Sequence, residues 1–300
     1  MQHLRTSPVK PKRVVVLGGS GFVGTDLVQH LKHLDIETIS LSSMDVDLAE
    51  ARSVAALRRI VSERDTMVII SALTPDRGKD VGTLIRNLKM GEHLSAFLEG
   101  ATCAHIVYVS SDAVYSEDAN PVRETTCCSP ATFHGIMHLV RERMLAAVAQ
   151  KQGIALAVVR PCALYGADDT HNSYGPNRFL RISAAEGRIA LFGNGEEIRD
   201  HLYIGDLSRV IGLCLAYRSK GVLNVATGKA VSFFELAQMI CELRKNDVLI
   251  ERLPRVTPIT HRHFDIGALL RAFPLFRPTS LRTGLTETLN RMAGASSGRN

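Results

Sequence analysis

Arg13 to Gly24, RVVVLGGSGFVG, decides the architecture of this chain. Its first five residues, Arg13 to Leu17, are a β-branched apolar run of the kind that fills a strand buried on both faces of a parallel sheet. Gly18, Gly21 and Gly24 then form a G-x-x-G-x-x-G array, and Thr25 to Leu34 (TDLVQHLKHL) carries apolar residues at helical spacing. Glycines between a strand and a helix meet three needs: a tight turn, close approach of the backbone to a pyrophosphate, and close packing of helix on strand. The helix N-terminus adds free N–H groups and a partial positive charge for the phosphates. A glycine turn with no chemical purpose is the competing reading, and the strand–turn–helix context disfavours it.

Outward from that stretch, strands and helices alternate. Glu37 to Leu41, Met67 to Ile70, Ile106 to Val109 and Ile154 to Val159 read as strands; Val54 to Val61, Val81 to Leu98 and Ala131 to Gln150 read as helices. This rhythm predicts an α/β fold, a Rossmann-type doubly wound parallel sheet. After Tyr165-Gly166 it loosens. Residues 167–177 are rich in Asp, Asn, Gly and Pro and read as loop, followed by a helix over Asn177 to Glu186, an extended piece over Arg188 to Phe192 and a helix over Phe233 to Arg244. The expectation is a cofactor domain over 12–165, joined by about 199–228 crossing back to the sheet. A smaller C-terminal α/β substrate lobe would come from 166–198 and 229–292, with flexible tails at 1–11 and 293–300. Ligand is expected in the cleft between the two.

Three hundred residues, 45% hydrophobic and 22% charged, describe a globular chain rather than a disordered or fibrous one. No apolar run reaches the ~20 residues that cross a bilayer, so no membrane association is expected. The N-terminal MQHLRTSPVKPKR lacks the apolar core of a signal peptide, which points to the cytoplasm. Cys103, Cys127, Cys128, Cys162, Cys214 and Cys241 show neither a CxxC pair nor metal-type spacing, and a disulfide scaffold is not expected at this size. The net charge of +6 is scattered without a Lys/Arg stripe, and aromatic residues make up only 5%. Nucleic acid is therefore not an expected partner, and attraction for a phosphate-bearing ligand accounts for the excess equally well.

Further stretches carry a resemblance: YVSSDAVYS at Tyr108 to Ser116, RPCALYG at Arg160 to Gly166, YGPNRF at Tyr174 to Phe179, GNGEEIRDHLYIGDL at Gly193 to Leu207 and GVLNVATG at Gly221 to Gly228. With the glycine loop, they make the chain similar to the extended short-chain dehydrogenases/reductases, in the NAD-dependent epimerase/dehydratase branch that acts on nucleotide sugars. The likeness runs in order over about residues 12–290. It implies NAD or NADP as cofactor, held by Gly18, Gly21, Phe22, Val23, Gly24, Ser42, Asp47, Leu48, Ala72 and Pro161. An acid at the end of the second strand would hold the adenine ribose and favour NAD. Ser42 and Ser43 stand there instead, with no Arg following to bind a 2′-phosphate, so the choice stays open. Asp47 reads equally as a helix cap.

The same resemblance makes Ser111 a hydrogen-bonding partner of the reacting sugar oxygen, against the plainer reading of a strand-end hydroxyl capping its own backbone. Asp112 matches the acid that dehydratase members use. Ala113 replaces the Glu common after it, which argues against dehydration. Arg199, of Arg199-Asp200, would grip the substrate diphosphate bidentately, with Asn177, Arg178 and Tyr203 in the same pocket. The bland alternative is a surface ion pair. Asn172 and Tyr174 are weaker candidates. A nucleotide sugar is thus the expected substrate, by epimerisation or ketone reduction. A homodimer through the two long helices follows too, although their apolar stripes could simply face the sheet.

One departure stands out. The family's Tyr-x-x-x-Lys is replaced by His134-Gly135-Ile136-Met137-His138, and none of the tyrosines 108, 115, 165, 174, 203 and 217 has a Lys four residues later. Three readings compete. His134 is the acid/base, titrating near ~6.5 without a lysine to tune it, while neutral His138 donates to a ribose hydroxyl. Or the chain binds its ligands with little turnover. Or histidines at i and i+4 share a helix face to hold a metal, for which nothing nearby completes a ligand set, so no metal is expected. His261-Arg262-His263 reads as a solvated loop.

Overall fold

The protein is represented by a computed structural model that describes residues 1–100, 103–244 and 248–297. Its centre is β2 (Arg13–Leu17), whose side chains alternate: Val14 and Val16 enter one apolar core, Val15 and Leu17 the other. A strand buried on both faces needs helices on both faces. On one side α1 (Phe22–His33) packs with α7 (Ile204–Ala216); on the other, α4 (Val81–Glu99) packs with α5 (Phe133–Gln152).

Around β2 lie β3 (Glu37–Leu41) and β4 (Thr66–Ile69), then β5 (His105–Val109), β6 (Ala155–Pro161), β11 (Ser219–Val225) and β1 (Gln2–His3). They form one seven-stranded sheet in the order β1-β11-β6-β5-β4-β2-β3, parallel throughout except for β1. The chain runs outward from β2 to β3, then returns to build the other half from β4. That reversal opens a crevice at the carboxyl ends of the strands, where ligands of such sheets bind. The sheet is thus the doubly wound one expected.

Boundaries shift in places. The helix expected over Val54 to Val61 is two short pieces, α2 (Ala51–Ala55) and α3 (Leu57–Ile60). The lead-in expected to be a flexible tail is partly sheet. Gln2 and His3 pair with Lys220 and Ser219, and the His3 ring bonds Ser219 Oγ (2.8 Å) and the Ala272 carbonyl (2.9 Å). An imidazole with two partners and aromatic neighbours, Tyr217 and Phe273, ties down a segment that composition alone leaves free. At the other end α10 (Leu281–Ser297) continues into the segment expected to fray from 293, and 298–300 lie outside the described residues.

Smaller strand pairs lie beyond the sheet. β7 (Ala163–Tyr165) runs parallel to β10 (His201–Tyr203), and β8 (Arg188–Phe192) parallel to β13 (Leu249–Leu253), while β9 (Ile198–Arg199) is antiparallel to β12 (Val231–Ser232). With α6 (Pro176–Glu186), α8 (Phe233–Arg244) and α9 (Gly267–Ala272) they place residues from the C-terminal part beside the tip of β5.

Candidate active site

The glycine loop is shaped by the protein at two of its three glycines and not at the third. A Cβ on Gly18, which has φ +91°, would lie 2.8 Å from the Ser71 backbone nitrogen; one on Gly24 would lie 2.1 Å from the Gly18 carbonyl oxygen. A Cβ on Gly21 would meet only that oxygen, at an ordinary 3.5 Å. Gly21 caps α1 without a side-chain bond, so the first-turn N–H groups at Phe22, Val23 and Gly24 stay available for an anion. Gly21→Ala is therefore expected to leave the melting temperature unchanged and weaken dinucleotide binding, whereas Gly24→Ala destabilises the fold by about 1–3 kcal/mol. Thermal melts with and without dinucleotide separate the two, and equal destabilisation by both would refute this division.

At the end of β3, Ser42 is turned toward Asp45, which accepts from its backbone N–H (2.8 Å) and hydroxyl (2.7 Å) and is thereby held below the usual carboxylate range. Asp47 accepts from Ala49 N–H (2.9 Å) and faces Arg86 at 3.4 Å. Leu48 is buried in the core, Pro161 ends β6, and Ala72 is half-buried after β4.

Ser111 and the histidines meet through backbone. Ser111 caps the short 3-10 turn Asp112–Val114, its Oγ accepting from Ala113 N–H at 3.1 Å. This is the plainer capping role, yet it uses only the oxygen's acceptor side and leaves the hydroxyl proton free to donate. A Cβ on Gly135 would sit 2.0 Å from the Ala113 carbonyl oxygen, so glycine between His134 and Ile136 lets the first turn of α5 seat on that turn. Thr132 caps the helix through Gly135 N–H. Behind the site, Glu142 of α5 and Arg160 of β6 form a buried pair (2.5 Å) that also engages Ser110 and Tyr115.

His134 and His138 stack edge-to-face with centroids 4.6 Å apart. His138 is 4% exposed, and its Nδ1 lies 2.8 Å from the Tyr108 hydroxyl. His134 Nδ1 is buried with no hydrogen-bond partner among the described residues, while the ring lines a largely apolar cavity of ≈ 460 Å³ with Leu73, Phe133 and Met137. The expectation of ordinary imidazole titration needs correction: burial, then the nearby His171, pushes His134 down to about 4. Burial, His134 and Arg141 hold His138 well below its ordinary value. Both rings are neutral at pH 7. Among the described residues no cluster of three metal-ligating side chains occurs.

The second cavity, ≈ 420 Å³, is lined by Asp112, Glu197, Arg199, His201, Arg255 and Arg262 among others. Arg199 leans on Glu197 (2.6 Å) and Arg255 on Glu196 (3.2 Å) and Glu197 (3.4 Å). Arg262 is not in a solvated loop as expected. It is 7% exposed and reaches across to Asp112, bonding its carboxylate at 3.1 Å and its carbonyl at 2.6 Å. A stem bridged to β9 (Arg199↔Arg262) carries it inward, which no local pattern announces. Asp112 is therefore a paired carboxylate rather than a free acid.

Other expected residues stand elsewhere. Asn177 is buried and accepts from Gly166 N–H while donating to Asp169. Arg178 is exposed and away from the cavity lining. Tyr203 packs on Tyr165. Asp200 does line the arginine-bearing cavity, and its carboxylate accepts from the Thr227 hydroxyl and Gly228 N–H. Arg255, Glu197 and Tyr108 are additions that sequence reasoning missed; Tyr108 and Glu197 lay within quoted motifs, and Arg255 did not.

The parallel sheet carries a phosphate-type loop at its switch point, the arrangement of dinucleotide-binding proteins, and an arginine-lined cleft lies beside the tip of a central strand. The match to the family model is specific: residues 14–226 fit the NAD dependent epimerase/dehydratase family, and the chain belongs to it. It is 24% identical to GDP-L-fucose synthase of Sinorhizobium fredii over 307 residues, covering 92% of this chain and 94% of that protein. Among solved structures, UDP-glucose 4-epimerase of Thermus thermophilus in complex with NAD superposes with a TM-score of 0.82 at 21% identity, covering 94% of this chain and 99% of that one. A GDP-L-fucose synthetase from Naegleria fowleri bound to NADP gives 0.85 at 15% identity, covering 99% and 98%. As a family member the chain takes a nicotinamide dinucleotide, NAD or NADP, and the loop fits one: Gly18 and Gly24 admit no side chain, and Gly21 leaves open space before free N–H groups. Among the described residues, no helix is long and apolar enough to cross a membrane.

Proposed function

We propose that this protein epimerises or reduces a nucleotide-activated sugar. The observation that carries the reading is the convergence of Arg199, Arg255 and Arg262 on one cleft that also contains Asp112, the neighbour of Ser111. Guanidinium forks suit the oxygens of a diphosphate, and Glu196 and Glu197 hold two of these forks in place until phosphate arrives. The dinucleotide, when bound, supplies hydride exchange with a sugar carbon. Ser111 donates its free hydroxyl proton to the sugar oxygen, and His134, neutral at pH 7, takes or returns that oxygen's proton. Asp112, paired with Arg262, does not serve as a dehydratase acid, which favours epimerisation or reduction over water loss.

Arg199→Ala is expected to raise KM for the sugar nucleotide about 10–100-fold, the size of a charge-assisted hydrogen bond, with dinucleotide affinity unchanged. An unaltered KM would remove Arg199 from the substrate site. The reading as a whole is tested by incubating the protein with NAD(H) or NADP(H) and a panel of sugar nucleotides, following nicotinamide absorbance and products. A second reading, binding with little turnover, is favoured by one observation: His138 is neutral and supplies no positive charge where the family has lysine. Complete absence of turnover across the panel selects it.

The reading extends to a homodimer through α4 and α5, where Val81, Ile85 and Phe133 remain exposed, and to a cytoplasmic location.

A further inference from the structure

His138 Nδ1 and the Tyr108 hydroxyl oxygen lie 2.8 Å apart, a contact in which either group could donate. Hydrogen-bond accounting decides between them. Tyr108 is fully buried, and among the described residues its hydroxyl has no second hydrogen-bond partner. Were His138 Nδ1–H the donor, the phenolic proton would be buried without an acceptor, a penalty that native interiors rarely carry. With the hydroxyl donating into the Nδ1 lone pair, both groups are satisfied.

We propose that Tyr108 is a positioning residue that donates to His138 Nδ1 and fixes the ring as its neutral Nε2–H tautomer. The division of labour in the pair follows. Nε2 of His138 can donate a hydrogen bond and cannot take a proton, so His134 alone is left to exchange one. Arg141 reinforces the arrangement from the same helix. Its guanidinium lies over the Tyr108 ring at 5.4 Å, wholly buried, and none of its nitrogens has a hydrogen-bond partner among the described residues. A cation so placed opposes a second proton on His138 and compensates in part for the positive charge that a neutral imidazole lacks. The tautomer follows from these contacts alone, and only its bearing on turnover rests on the proposed role of His134.

Protein labelled with 15N-histidine, examined by long-range 1H–15N correlation at neutral pH, reads the tautomer directly; His138 is assigned by the signals lost in His138→Gln. The wild type should show Nε2 protonated and Nδ1 bare. Tyr108→Phe, which keeps the ring and deletes the donor, should shift His138 toward a mixture of tautomers and lower kcat about 3–10-fold with KM little changed. A wild-type His138 that is Nδ1-protonated or doubly protonated overturns the proposal, as does an unchanged tautomer in folded Tyr108→Phe. If that variant does not fold, the wild-type spectrum still decides. An Nε2–H ring in a protein without turnover would instead sink the assignment of activity and leave the positioning role standing.

Discussion

Replacing His134 by alanine is expected to lower kcat/KM by about 10²–10⁴-fold, the contribution of a positioned acid/base, with dinucleotide affinity nearly intact. The loss is large because no other group can take over. Asp112 is held by Arg262, and His138 is buried against Tyr108. With His134 pushed down to about 4 by burial, the base is already deprotonated at neutral pH. The kcat/KM profile of the wild type should therefore be flat from about pH 6 to 8, with no acid limb near 6.5. Activity in His134→Ala above a tenth of wild type would dismiss the histidine from proton transfer. The double change His134→Tyr with His138→Lys gives the complementary result: activity rising from a negligible wild-type level would select binding without turnover.

The second large effect is on stability in mild acid. Three histidines, His105, His138 and His201, are buried, His134 is half-buried, and all four are neutral at pH 7. Burial pushes His105 and His134 down to about 4; burial and then Arg199 bring His201 to about 3, and His138 is lowered well below its ordinary value. Each has a folded pKa below the ~6.5 of the unfolded chain. Above pH ~6.5 neither state is protonated and no penalty arises. As pH falls through 6.5 toward about 4, the unfolded chain binds protons that the folded one refuses, and stability drops. The slope is about 1.4 kcal/mol per histidine per pH unit, or about 5 kcal/mol per unit for four, against a typical total of about 5–15 kcal/mol. Asp200, which burial holds above its ordinary range, works in the opposite sense but is one group against four. Thermal melts should therefore show a steep loss between pH 6.5 and 5, and a melting temperature constant over that interval would refute the account.

The sheet was legible because its signal is local and repeated. Apolar strands such as RVVVL, and helices beginning right after glycine or Thr132, announce themselves within a dozen residues. The glycine loop was legible for the same reason. What stayed hidden depends on contacts across long stretches of chain. Arg262 meets Asp112 from a position 150 residues away, and a histidine on either side disguised it as loop. Asn177 sits in a motif that suggests ligand contact, yet its amide is spent on Gly166 and Asp169. The displacement of the His134 titration is equally invisible to spacing, because it arises from desolvation rather than from a neighbour in sequence.

The strand formed by Gln2 and His3 has a practical meaning for anyone handling the molecule. A purification tag or fusion partner joined ahead of Met1 would emerge from the rim of the sheet, next to a pairing that covers Ser219 and Lys220 at the start of β11's outer edge. Trimming these residues as disposable would unmask that edge and remove the anchor on Ser219 and Ala272. Aggregation in a shortened version would then report on the missing edge strand and not on the chemistry of the site.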